Sequence, residues 1–119
     1  MFLRASIRLG YVDSAIGGLR TITTAEEKFV KNHPDVGYTC AFSELSFDEP
    51  KVDWSKWPER NEYVFEINGC DTKKANTTYQ VTARPLLKDQ PAFCANQSGV
   101  IRREETGSTA ACLRSGVTL

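Results

Sequence analysis

Nowhere in the 119 residues is there an uncharged apolar run long enough to cross a bilayer. Arg4 and Arg8 interrupt even the opening MFLRASIRLG, which does not read as a secretory signal. Excess charge is also lacking, because fifteen basic residues meet fifteen acidic ones. A nucleic-acid partner, which needs a basic face to neutralise phosphates, is therefore not indicated. The lone histidine, His33, sits before a proline with no evident partner and is expected to be solvated or to cap a helix end. Nucleophile elbows, HExxH zinc motifs, phosphate-binding loops and dinucleotide fingerprints are all missing. No catalytic residue and no cofactor is expected. The acidic pairs Glu26-Glu27, Asp48-Glu49 and Glu104-Glu105 are sequence neighbours. Side chains so placed point in different directions, so these read as solvated surface rather than acid/base dyads.

What the chain does have is a long stripe. Phe2, Ala5, Leu9, Val12, Ile16 and Leu19, continued by Ile22, Ala25 and Phe29, recur at the three-and-four spacing of an amphipathic helix. Pro34 disfavours helical geometry at His33, so the helix is predicted to stop by about Asn32. At about 1.5 Å per residue it would measure roughly 40 to 45 Å, against about 35 Å for a compact domain of this size. It should therefore span the domain or protrude from it. Gly17-Gly18 in its middle costs roughly 1 kcal/mol per glycine relative to alanine. The pair is either a weak spot or a place of close packing against a neighbouring helix.

Cys40, Cys70, Cys94 and Cys112 are even in number and none lies in a CxxC pair, which weakens metal and thioredoxin-like readings. Two structural disulfides are expected, and with them an oxidising compartment. Of the three pairings that four cysteines allow, Cys40 with Cys70 and Cys94 with Cys112 is favoured, because its loops are sequential, of modest length and uncrossed. Export with no targeting segment in view suggests that one precedes Met1.

Residues 47–62, FDEPKVDWSKWPERNE, are charged and carry two prolines, so they read as a surface loop. Within it Trp54 and Trp57, near Lys56 and Arg60, could form a sugar or partner platform or fold back as a lid on the sheet. Strands are predicted at Tyr63–Ile67, at Thr77–Ala83, and as two short ones around a turn between Ala92 and Arg102. Asn76-Thr77-Thr78 and Asn96-Gln97-Ser98 match the glycosylation sequon. A calcium site assembled from Glu104, Glu105 and loop carbonyls is the one metal hypothesis that the residues offer. The whole reads as α+β: a long helix over residues 1–34, then a head over 35–119 with an antiparallel sheet of about four strands.

In this order, VDSAIGGLRTITTAEEKFVKNHPDVGYTC (12–40), YVFEINGC (63–70), YQVTARPL (79–86), AFCANQSGVIR (92–102) and TAACL (109–113) resemble type IV pilins and the related pseudopilins of type II secretion. The resemblance covers nearly the whole chain and rests on no catalytic motif. It implies a leader and an apolar half-helix ahead of Met1, anchored in the bacterial inner membrane before assembly. It also implies a homopolymer of pilin subunits built by a pilus or secretion machinery and exposed at the cell surface. Phe2, Leu3, Ile7 and Val12 would then pack on neighbouring subunits, and the Trp54/Trp57 loop and the closing Cys94–Cys112 loop would carry outer contacts. A pseudopilin is the alternative, which bound calcium near Glu104 and Glu105 would favour. A secreted, disulfide-stabilised binding module is the alternative from another class, and it would have no use for an exposed helix.

Overall fold

The computed structural model describes residues 2–46, 48–71 and 75–119, and of residues 2–8 the backbone alone. A single helix, α1 (Phe2–Asn32), runs the length of the molecule. Its 31 residues correspond to about 46 Å of rise, close to the 51 Å long axis of the molecule. It stops where Pro34 requires. The buried positions on α1 are Val12, Ala15, Leu19, Ile22, Ala25, Glu26 and Phe29, one face at helical spacing.

That face lies on a six-stranded antiparallel sheet: β1 (Glu59–Arg60), β2 (Tyr63–Asn68), β3 (Gln80–Pro85), β4 (Ala92–Asn96), β5 (Arg102–Glu104) and β6 (Val117–Thr118). The strands follow one another across the sheet in chain order, so every connection joins neighbours. About four strands were expected; the two additional ones are two-residue edges, too short to leave an alternating pattern in the sequence. Register aligns Phe65 with Ala83 and Phe93, and Ile67 with Val81 and Ala95. These side chains form one buried face, and with the α1 stripe they make the core.

Alternation turns Cys94 to the opposite face, beside Thr82 and Arg102 in register. There it is joined to Cys112 on α3 (Thr109–Ser115), a short helix that covers the back of the sheet. Ser108 caps α3, its hydroxyl accepting from the Ala111 N–H at 3.1 Å. The second disulfide joins Cys40 to Cys70, so the expected pairing is the one observed. Between the end of α1 and β1 lie a one-turn helix, α2 (Phe42–Leu45), and a 3-10 turn at Trp54–Lys56.

Candidate functional site

Leu9 and Gly10, near the start of α1, are exposed. Leu9, the first side chain described, is 65% exposed, and among the described residues nothing lies within 4 Å of where a β-carbon on Gly10 would stand. Tyr11 packs half-buried against the core and Val12 is buried, so among the described side chains the core contacts of α1 begin there. The side chains of Phe2, Leu3 and Ile7 lie outside the described residues. Val12 does not belong with them: it is only 8% exposed and packs into the chain's own core, because it begins the face that meets the sheet.

The two tryptophans also turn inward. Trp54 and Trp57 are 6% and 7% exposed. Their rings stand 5.6 Å apart, with Phe42 of α2 beside both and Phe65 of β2 against Trp57 at 4.9 Å. The Trp54 indole N–H donates to the Glu49 carbonyl at 2.9 Å, and the Arg60 guanidinium lies 5.3 Å above Trp57. Of the two expectations for these tryptophans, a surface platform and a lid, the lid is the one observed. In it aromatic area is removed from water and the charged neighbours face out. Beside the lid, Ser14, Gly17, Gly18 and Thr21 of α1 line a pocket of about 260 Å³ with Trp57, Arg60 and Phe65.

His33 has a partner that the sequence did not reveal. Its Nε2 lies 3.0 Å from Asp48 Oδ2, Asn32 donates to Asp48 Oδ1 at 2.6 Å, and Lys28 pairs with Glu49. Asp48 and Glu49 thus clasp the last turn of α1 rather than sitting free in solvent. The clasp keeps the lid segment against the spine.

Glu26 is a larger departure from the expected solvated pair. Its side chain is fully buried, with Oε1 accepting from the Thr39 N–H at 2.9 Å and Oε2 without a partner. Burial pushes its pKa up to about 7, against the lowering effect of the Thr39 hydrogen bond, and Glu44 and Glu27 add to the rise. The sequence did carry a signal: Glu26 lies four residues after Ile22 and three before Phe29, on the buried face.

Asn76 stitches the two loops over this point. Its amide donates to the carbonyls of Tyr38 and Thr78 at 3.1 and 2.8 Å and accepts from the Asp71 N–H at 3.0 Å. Backbone bonds from Tyr38 N to Asn76 O and from Asn76 N to Val36 O complete the seam, which Cys40–Cys70 closes. Gly37, at a φ of +81°, admits the close approach, since a β-carbon there would stand 2.1 Å from the Asn76 carbonyl oxygen. Of the two sequon asparagines, Asn76 is therefore consumed by structure. Asn96 is partly exposed, in a turn where its Oδ1 accepts from the Ser98 N–H at 2.9 Å.

At the closing loop, Glu104 accepts from the Thr106 and Ser108 N–H groups and from the Thr106 hydroxyl, while Glu105 pairs with Arg103 at 2.6 Å. These bonds hold Glu104 below the usual carboxylate range and commit both residues to the loop itself. Among the described residues no group of three or more His, Cys, Asp or Glu stands where it could hold a metal ion. Nor is any described helix long and apolar enough to cross a membrane. No family model matches the chain, and no curated protein matches it.

Proposed function

We propose that the chain is a structural subunit of a type IV pilus or related surface filament, assembling through its N-terminal helix. The observation that carries this reading is the unequal burial of α1: one face is locked into the head from Val12 onward, while Leu9 and Gly10 ahead of it stand in solvent. The exposed Leu9 is apolar surface that the helix can offer a neighbour. Repetition of one heterologous contact builds an open fibre rather than a closed ring. The remaining features agree with a part that must be rigid and inert: two disulfides, aromatics folded inward, and carboxylates tied to backbone and lysine. Localisation would be the bacterial surface, after anchorage in the inner membrane.

A secreted binding module would present the tryptophans, which here are spent as a lid. A calcium-dependent pseudopilin would want Glu104 free, and it is occupied as a loop cap. Both observations favour the pilus subunit.

The test is to express the natural full-length protein in its host and label surface filaments with antibody to the head. Wild type should decorate fibres, and Leu9→Glu should abolish them while the head keeps its melting temperature. Fibres that form equally well with Leu9→Glu, or a wild-type chain found only as a free secreted monomer, would overturn the reading.

A further inference from the structure

The filament reading leaves Glu26 without a task. A carboxylate on the buried face of a helix gives up its hydration, which a nearby cation or several donors must replace. Glu26 has one donor, the Thr39 N–H, and an Oε2 that is buried without a partner. Its titratable neighbours come from every element packed around it. They are Glu27 on its own helix, Tyr38 in the segment that follows, Glu44 on α2, and Tyr79 just before β3. Among the described residues neither a guanidinium nor an ammonium stands with them. Two of the donors nearby are engaged elsewhere, since the Tyr38 hydroxyl donates to Glu27 at 3.2 Å and the Thr39 hydroxyl to Glu44 at 2.9 Å. Such a site suits a neutral acid and penalises an anion.

We propose that Glu26 is a proton-dependent latch between the spine helix and the segment Tyr38–Ala41: protonated, it holds the segment down through the Thr39 amide, and ionised, it forces the segment off the helix to reach water. Because Cys40 is bonded to Cys70, the opening is local and reversible rather than a loss of the fold. The folded state retains a proton that the unfolded chain releases above the ordinary glutamate pKa. The stabilisation is thus complete below about pH 4.5 and is lost as pH rises through about 7. The direction is opposite to that of an ordinary surface carboxylate.

The experiment is amide exchange at Thr39, corrected for intrinsic rate, with a carbon-13 titration of the Glu26 carboxyl, from pH 5 to 9. In the wild type the carboxyl should titrate near neutrality, and with rising pH Thr39 protection should fall by roughly tenfold per pH unit below that midpoint and level off above it. Glu26→Gln should remove that slope. Glu44→Gln leaves Glu26 in place and should move the midpoint to lower pH, which keeps the proposal decidable should Glu26→Gln fail to fold. A Glu26 carboxyl titrating near 4.5, or a wild-type Thr39 protection that is flat with pH, would overturn it.

Discussion

Gly18 of α1 lies flat against the ring of Phe65 in β2: a β-carbon at Gly18 would stand 2.7 Å from Phe65 Cζ and 3.3 Å from the Trp57 ring. The Gly17-Gly18 pair therefore has two meanings. Gly18 is where the helix and its own sheet approach closely, whereas among the described residues nothing lies within 4 Å of where a β-carbon on Gly17 would stand. Close packing against a separate helix was one expectation; the partner is instead the chain's own β2. Phe65 is 1% exposed and wedged by Trp57, so it has little room to yield. Gly18→Ala should destabilise by about 1 to 2 kcal/mol, the overpacking cost less the gain in helix propensity. Gly17→Ala should stabilise by up to about 1 kcal/mol. Urea unfolding of the two variants checks both signs, and equal behaviour would mean that the contact with Phe65 is not tight.

Trp57 joins that contact to the lid, since its ring meets Phe65, Trp54 and Phe42. Trp57→Ala should cost about 3 to 5 kcal/mol, the usual range for removing a buried large aromatic. Trp54→Phe should cost less, because the stack survives and only the indole bond to the Glu49 carbonyl is lost. Tryptophan emission in the folded wild type should be blue-shifted and poorly quenched by iodide. Ready quenching would show that the lid is open in solution.

The two disulfides close loops of different length, with sequence separations of 18 and 30 residues. On the chain-entropy estimate each contributes about 3 to 3.6 kcal/mol, a model-dependent figure. Their structural consequences should differ more than their energies. Cys94→Ser with Cys112→Ser detaches α3 from the back of the sheet, so hydrogen exchange should rise over residues 102–118. Cys40→Ser with Cys70→Ser should instead raise it over residues 35–45 and 75–79. Exchange rising uniformly in both variants would contradict this division.

In the closing loop, Ser108→Ala removes the cap of α3 and should cost about 1 kcal/mol. Glu104 acts through charge, and the sign is worked from its lowered pKa. Its contribution is present above the ordinary glutamate range and is lost as pH falls through its own, lower value. Amide protection at Thr106 and Ser108 should therefore decline on acidification below about pH 4, and Glu104→Gln should show reduced protection near neutral pH and converge with the wild type in acid. A loop indifferent to both changes would show that the cap is ornamental in water.

The parts of this fold that could be read from residues were those governed by period and by chain-breaking. The stripe from Val12 to Phe29, the stop before Pro34, the strand at Tyr63 and the pair between Ala92 and Arg102 all follow from local pattern. What escaped depends on partners distant in sequence. For Trp54 and Trp57 the lid was legible, but the aromatic partners Phe42 and Phe65 that stack with them were not. Glu26 was paired on paper with Glu27, although one step of helix puts it on the buried face while Glu27 stays exposed. The helix at Thr109–Ser115 was missed despite a readable start, with Ser108 as cap before a run of small and apolar helix formers. The His33–Asp48 clasp joins residues fifteen apart through a loop whose path no periodicity encodes.

The six strands end in edges of two residues each, Glu59–Arg60 on one side and Val117–Thr118 on the other. So short an edge exposes too few backbone donors and acceptors to template another strand. Crowded copies of this chain therefore have a poor route into sheet-to-sheet stacking, the route by which β-rich heads precipitate as amyloid. Whatever order copies of the molecule achieve together has to be written in side chains.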